Sequence, residues 1–171
     1  KALITEDLYP HIEPLGQSVS DAEIRAGWVA TVERIKNQTA PQQLGLYIHI
    51  PFCTVACTFC FCGKTDQFNR AGMETYLSRL TQEAESHAET MRSVSFSSVY
   101  FGGGTPSLLP PPAMRRMFEV LYGCFDVPDG TQIIYEGNPD SLSEAKIRVL
   151  ADEGRVSRLT IGVQTLDDVV Q

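Results

Sequence analysis

Four of the five cysteines lie within ten residues of one another, at Cys53, Cys57, Cys60 and Cys62. The first three have the spacing C-x3-C-x2-C and follow a short β-prone run that Pro51 ends. On such a loop, three thiolates can occupy three corners of one cuboidal cluster. Because a [4Fe–4S] cluster ordinarily takes four thiolates, three would leave one iron with an open coordination position. An open position is what distinguishes a reactive metal centre from a structural one.

A zinc site is the alternative interpretation, with Cys57 and Cys60 as a C-x2-C pair. A structural zinc site takes four ligands, so a second pair would be needed. His49 and Cys62 are too near in sequence to make a convincing pair, and Cys124 stands alone in a predicted helix. The spacing therefore favours iron–sulfur chemistry over zinc or inert thiols. Five cysteines with four of them clustered make a poor disulfide framework and suit a metal centre in a reducing compartment, so we expect the cytoplasm.

The composition excludes several classes of protein. The chain has 171 residues, of which 43% are hydrophobic and 20% charged, as in one ordinary globular domain. Its formal net charge of −7 provides no basic stripe, so we expect no nucleic-acid partner. The sequence contains no apolar run long enough to span a bilayer, so we also expect no membrane span.

Strand and helix patterns alternate along most of the chain. A capping box at Ser20 and Glu23 opens a predicted helix that ends near Lys36, with Trp28 as its core anchor. Strands are predicted over 45–50, 94–101, 131–136 and 157–162. Helices are predicted over 73–91 and 113–125. A second capping box, at Ser141 and Glu144, opens a third helix that ends near residue 153. A further helix is predicted to start at 167–168. This alternation predicts an α/β fold with a parallel sheet. We divide the chain into an N-terminal arm and helix (1–43) and a core (44–171).

The unusual residues directly follow these strands. Loops after parallel strands carry the chemistry of α/β barrels. A triple glycine at 102–104 allows close approach of a ligand to the backbone, although alone it is more often a turn. Glu136 ends a strand, where it is either a ligand contact or an exposed carboxylate. His49 alternates with apolar neighbours and is interpreted as a hydrogen-bonded structural histidine.

Four segments in order carry a family resemblance: YIHIPFCTVACTFC (47–60), VYFGGGTPS (99–107), EGNP (136–139) and RLTIGVQ (158–164). Together they resemble radical S-adenosylmethionine enzymes, and more narrowly the oxygen-independent coproporphyrinogen oxidase group. The resemblance implies a (β/α)6 barrel of which about four parallel strands are present, preceded by an N-terminal helical extension. Family barrels have six strands and a further C-terminal domain, so we expect this sequence to be incomplete.

The resemblance also implies cofactors and their ligands. Cys53, Cys57 and Cys60 match the ligands of a [4Fe–4S] cluster whose open iron chelates S-adenosylmethionine. Reductive cleavage then yields a 5′-deoxyadenosyl radical that abstracts hydrogen from a substrate. The positions that match cofactor contacts are Tyr47, Phe59, Gly103, Gly104, Thr105, Glu136 and Gln164. Gln164 matches a contact to a second adenosylmethionine, and Phe59 also has a plain packing role. Cys62 is either a second-site residue or a packed thiol.

Two residues indicate different branches of this family. Cys62 resembles the true oxidases, whereas Asn138 in the Glu-x-Asn-Pro segment resembles their relatives. The leading expectation is an oxidoreductase that decarboxylates tetrapyrrole propionates, with a flavodoxin or ferredoxin as electron donor. The alternatives are a radical C-methyltransferase or cyclopropanase, and a heme chaperone or anaerobic heme-degrading relative.

Overall fold

A computed structural model describes residues 20–37, 44–55, 57–60, 65 and 68–167. The helices and strands in chain order are α1 (Asp21–Lys36), β1 (Gly45–Ile50), α2 (Arg70–Met91), β2 (Ser98–Gly103), α3 (Pro111–Cys124), β3 (Gln132–Gly137), α4 (Glu144–Asp152) and β4 (Arg158–Ile161). Short 3-10 turns follow β2 and β3, over Pro106–Leu108 and Pro139–Ser141. Among these described helices, none is long and apolar enough to cross a membrane.

The four strands form one parallel sheet in the order β1-β2-β3-β4. Helices α2, α3 and α4 each connect one strand to the next, which is the crossover that parallel neighbours require. All four strands therefore end at the same edge of the sheet. The predicted α/β fold with a four-stranded parallel sheet is confirmed.

One face of the sheet is buried against the helices. Successive side chains of a strand point to opposite faces, so every second residue lies on the helix side. The strand residues that are buried there are Ile50, Val99, Phe101, Ile133 and Tyr135, and they share one core with side chains of α2, α3 and α4. The opposite face carries polar and aromatic side chains, described below.

Helix α1 begins as predicted but buries a different residue. Ser20 accepts a hydrogen bond from the Glu23 amide, and the Glu23 carboxylate accepts one from the Ser20 amide, which completes the capping box. Val32 is the buried residue of this helix and packs in a small second core. The prediction that Trp28 is the core anchor is wrong. Its side chain is 43% exposed and lies against the ring of His87.

Several boundaries differ from the prediction by a few residues, and two of these differences have a clear structural cause. β2 begins at Ser98 rather than at residue 94, because Val94 and Phe96 pack in the second core with Val32 instead of joining the sheet. The cap of α4 is Ser143, whose hydroxyl accepts a hydrogen bond from the Lys146 amide, and not Ser141. The residues of the predicted arm over 1–19 lie outside the described residues, as does Asp168. The division of the chain at residue 43 stays a prediction.

Candidate functional site

The cysteine loop begins where β1 ends. The loop is anchored at its start by Thr65, whose amide donates to the Pro51 carbonyl at 2.7 Å and whose carbonyl accepts from the Cys53 amide at 3.3 Å. Cys53 and Cys60 are half-buried and Cys57 is exposed. The structure thus places the three predicted cysteines on one loop at the carboxyl edge of the sheet.

The glycine loop after β2 packs directly on this cysteine loop. The Gly104 amide donates to the Ile50 carbonyl and the Thr105 amide to the Phe52 carbonyl, both at 2.7 Å. The Thr105 hydroxyl Oγ1 lies 3.7 Å from the Cys53 sulfur Sγ. A Cβ on Gly104 would be 2.5 Å from the Phe52 carbonyl oxygen and 2.9 Å from Cys53 Sγ, so only glycine fits there. Position 104 is therefore set by close contact between two loops.

Gly103 needs glycine for a second reason. Its φ is +113°, a conformation that side chains rarely adopt. A Cβ there would also meet the His49 ring at 2.7 Å and the Ile50 carbonyl oxygen at 2.9 Å. The triple glycine is thus more than a turn. It lets β2 end in close contact with β1.

Glu136 is held by a residue on the neighbouring strand. The Tyr100 hydroxyl donates a hydrogen bond to its carboxylate. This bond, followed by burial, raises the pKa of Tyr100 to about 12. A Cβ on Gly102 would lie 3.0 Å from Glu136 Oε2, so the absence of a side chain at Gly102 leaves space for the carboxylate. Glu136 is therefore oriented by Tyr100 rather than simply exposed at a strand end.

Tyr47 continues this polar face onto β1. Its ring stacks on Tyr100, with ring centroids 5.9 Å apart and planes inclined by 27°. Its hydroxyl lies 3.1 Å from His49 Nδ1, and the His49 carbonyl accepts a hydrogen bond from Tyr76. The His49 ring is thus hydrogen-bonded to Tyr47, as predicted for a structural histidine, and its backbone carbonyl is bonded to Tyr76. The face of Tyr47, Tyr100 and Glu136 borders the loops that carry the cysteines and glycines.

Three predicted residues remain: Gln164, Phe59 and Cys62. Gln164 follows β4, has a left-handed φ of 65°, and folds its amide back towards Gly162. Phe59 lies on the cysteine loop with 66% of its surface exposed, so the structure gives it no packing role. Cys62 lies outside the described residues.

The three cysteine thiols are chemically suited to bind an iron–sulfur cluster, but their side chains do not converge on one metal position. In the part of the chain that is described, no group of three or more His, Cys, Asp or Glu side chains converges enough to hold a metal ion. Cys53 and Cys60 are nevertheless partly sheltered, and Gly104 leaves the Cys53 sulfur uncrowded. Cys53, Cys57 and Cys60 are therefore the residues that would hold a cluster, by the chemistry of their thiols and their place on one loop.

Sequence reasoning missed Tyr100, Ser107 and Lys146. Tyr100 and Ser107 lie inside the quoted segment 99–107 and could have been found there, since Tyr100 shares a strand face with Gly102. Lys146 had no signal in the sequence, because its partners are backbone carbonyls of two loops brought together by the fold.

Comparison with known proteins decides the family. Residues 47–171 match the family described as the radical SAM superfamily. The chain belongs to this superfamily. Its members use a [4Fe–4S] cluster and S-adenosylmethionine.

Individual relatives agree with this placement. The chain is 29% identical over 163 residues to the oxygen-independent coproporphyrinogen III oxidase of Paracoccus denitrificans, covering 95% of this chain and 34% of that protein. It is 33% identical over 125 residues to the heme chaperone HemW of Lactococcus lactis, covering 72% of this chain and 31% of that one. The solved structure of the Escherichia coli coproporphyrinogen III oxidase HemN, described as a radical SAM enzyme, matches with a TM-score of 0.75 and 30% identity. That match covers 85% of this chain and 32% of the other.

The structural match confirms the predicted fold as part of a radical SAM barrel. This radical SAM chain spans about a third of the length of the relatives it matches.

Proposed function

We propose that this chain provides the cluster-binding and adenosylmethionine-binding part of a radical enzyme that decarboxylates tetrapyrrole propionates. The observation that carries the proposal is the packing of the glycine loop on the first cysteine of the cysteine loop. Thr105 Oγ1 lies 3.7 Å from Cys53 Sγ, and Gly104 adds no side chain between them. A ligand bound to an iron beside Cys53 would therefore also contact the glycine loop.

Three thiolates would hold the cluster in this proposal, from Cys53, Cys57 and Cys60. When bound, the cluster and adenosylmethionine supply a 5′-deoxyadenosyl radical by one-electron reductive cleavage. Cys124 takes no part, because it lies at the end of α3, where burial raises the pKa of its thiol. Clustered thiols that must stay reduced support a reducing compartment such as the cytoplasm.

The glycine loop would receive the methionyl end of adenosylmethionine through its open surface. The amides of Gly104 and Thr105 already donate to carbonyls of Ile50 and Phe52, so they do not serve as donors to a ligand. What the loop offers at 103–104 is close approach to the backbone. This refines the role expected from the three glycines alone.

The polar face beside that loop would bind the rest of the molecule. Glu136 is a hydrogen-bond acceptor whose orientation is fixed by Tyr100, which suits it to a hydroxyl or ammonium donor of the ligand. Tyr47, stacked on Tyr100, provides aromatic surface on this face, and the exposed Phe59 of the cysteine loop would provide more. Gln164, in the loop after β4, would contact a second adenosylmethionine.

The relatives support the proposed substrate. A coproporphyrinogen III oxidase matches 95% of this chain, and the matched solved structure is also an oxidase of this kind. Each cleavage of adenosylmethionine consumes one electron, so the proposal includes a flavodoxin or ferredoxin as donor. Loss of carbon dioxide from the substrate radical then leaves a vinyl group and releases one electron, so the proposal also includes a one-electron acceptor, which the assay supplies.

The test of this function uses the natural full-length protein that carries this sequence. After anaerobic reconstitution with iron and sulfide, it is incubated with a reductant, a one-electron acceptor, S-adenosylmethionine and coproporphyrinogen III. We expect 5′-deoxyadenosine and carbon dioxide to form together, and Cys124→Ala to behave as the wild type. Formation of 5′-deoxyadenosine without loss of carbon dioxide would refute the substrate and leave the radical chemistry intact.

A heme chaperone is the second candidate, favoured by the match to HemW over 72% of the chain. This candidate predicts stable heme binding by the purified protein and no consumption of coproporphyrinogen. Titration with heme, followed through the Soret band, separates the two functions. A stoichiometric Soret complex without decarboxylation would favour the chaperone, and its absence would count against it.

A further inference from the structure

Two loops at the carboxyl edge of the sheet are bonded to each other. They are the glycine loop (residues 102–108) and the β3 loop (residues 137–143). The Asn138 amide donates to the Ser107 hydroxyl at 3.0 Å, and the Ser107 hydroxyl is hydrogen-bonded to that of Ser141. The Tyr135 hydroxyl donates to the Pro106 carbonyl at 2.8 Å. Since Ser107 is fully buried, this connection is inside the protein rather than on its surface.

Lys146 joins the same two loops from α4. Its ammonium Nζ donates to the Ser107 carbonyl at 2.6 Å and to the Ser141 carbonyl at 2.7 Å, one carbonyl from each loop. Burial lowers the pKa of Lys146 from its ordinary value. Arg148, two residues on, is instead exposed and paired with Glu144 at 2.5 Å. A partly buried ammonium that donates to backbone carbonyls carries a desolvation cost that a surface lysine does not.

The bonded loops are the two that carry the proposed adenosylmethionine contacts. Ser107 lies two residues after Thr105 in the glycine loop, and the β3 loop follows directly after Glu136. Any change in the separation of the loops would move Thr105 relative to Glu136. A ligand that contacts both needs that separation to be fixed, because preorganised contacts cost less to form on binding.

We propose that Lys146 is a positioning residue for adenosylmethionine: by bonding Ser107 to Ser141 it fixes the glycine loop relative to Glu136. The inference rests on the proposed function, since it takes these two loops as the cofactor site. The Lys146 ammonium acts on the two loops through the Ser107 and Ser141 carbonyls, and no bond to the described cysteines or to Glu136 is part of the proposal. Its effect is on affinity for adenosylmethionine and not on assembly of the cluster.

The test compares Lys146→Met with Arg148→Met, which removes a cation from the same helix without touching either loop. Adenosylmethionine affinity is measured on the reconstituted protein through the change that the ligand causes in the EPR spectrum of the reduced cluster. We expect Lys146→Met to weaken binding about tenfold, the size expected for a lost charge-assisted hydrogen bond, with iron content unchanged. Arg148→Met should bind as the wild type, and Lys146→Arg should recover part of the affinity.

Hydrogen exchange of the cluster-free protein tests the same proposal without the cofactor. The Asn138 amide, bonded to Ser107, should exchange about tenfold faster in Lys146→Met than in the wild type. Ser141→Ala removes only the hydroxyl link and should give a smaller increase, which keeps the test available if Lys146→Met folds poorly.

The outcomes separate this inference from the proposed function. Unchanged affinity in Lys146→Met, or unchanged exchange at Asn138, overturns the role of Lys146. Failure of the wild type to bind adenosylmethionine overturns the proposed function, and the exchange experiment then decides alone whether Lys146 fixes the loops. A loss of iron in Lys146→Met with normal exchange would also contradict the proposal.

Discussion

The hydroxyl of Tyr100 on β2 donates a hydrogen bond to the carboxylate of Glu136 on β3. The two residues lie on the face of the sheet that the helices do not cover, and Tyr47 stacks on the same tyrosine ring. The bond fixes the one carboxylate that the sequence places at the end of a strand beside the glycine loop. Its consequence can be measured directly on the tyrosine.

Replacing Glu136 should lower the pKa of Tyr100. The carboxylate disfavours the tyrosinate, which raises this pKa from its ordinary value of 10 to about 12. Because the folded value is the higher one, the stabilisation by this bond is complete below about pH 10 and is lost as the pH rises through 12. In Glu136→Gln we expect the pKa of Tyr100 to return towards 10.

The measurement is NMR of tyrosine labelled at Cζ, from pH 8 to 11.5. The Tyr100 signal, assigned with Tyr100→Phe, should move only about a quarter of the way to its tyrosinate position by pH 11.5 in the wild type, and nearly all of the way in Glu136→Gln. A Tyr100 signal that titrates near pH 10 in both proteins would show that the bond is not formed in solution.

Gly104→Ala should destabilise the protein and prevent correct packing of the two loops. The new Cβ would be 2.5 Å from a backbone oxygen of Phe52, which cannot move aside as a flexible side chain can. We expect a loss of about 1–3 kcal/mol in the free energy of unfolding, typical of overpacking. Urea denaturation of the cluster-free chain gives the value.

The matched control is Gly123→Ala, in α3, where a Cβ would meet nothing within 4 Å. There the change to alanine should stabilise the helix by about 0.5–1 kcal/mol. Equal effects at the two positions would mean that the contact between the glycine loop and the cysteine loop is not as described.

Val32→Ala should destabilise the protein, whereas Val29→Ala should not. Val32 is 2% exposed in the second core, and Val29, on the same helix, is 51% exposed. Loss of two buried methyl groups should cost about 2 kcal/mol, and the exposed change should stay within about 0.5 kcal/mol. Thermal unfolding followed by circular dichroism compares the two. A similar shift for both variants would contradict the packing of α1 on the core.

The parallel sheet, and the edge of it that carries the candidate site, could be predicted from the sequence. Alternating strands and helices indicated a parallel sheet, and the cysteines, glycines and Glu136 lie at its carboxyl edge as expected. These features depend on local spacing and on turn residues, both of which can be read along one chain. The capping box at Ser20 is confirmed for the same reason.

The parts that could not be predicted depend on contacts between distant residues. Val94 and Phe96 have the pattern of a strand, but a neighbouring core takes them out of the sheet. Ser141 satisfies a capping pattern with Glu144, but its hydroxyl is bonded to Ser107, so Ser143 caps α4 instead. Trp28 is the largest apolar residue of α1 and yet is not its buried one.

The central claim is that Cys53, Cys57 and Cys60 together hold a cluster that binds adenosylmethionine. The direct measurement is iron and sulfide content after anaerobic reconstitution, with EPR of the reduced protein before and after adenosylmethionine is added. The wild type and Cys124→Ala should each hold about four irons and respond to adenosylmethionine, and each of Cys53→Ala, Cys57→Ala and Cys60→Ala should lose most of the iron and the response. Zinc in place of iron in the wild type, or full cluster content in any of the three variants, would contradict the account.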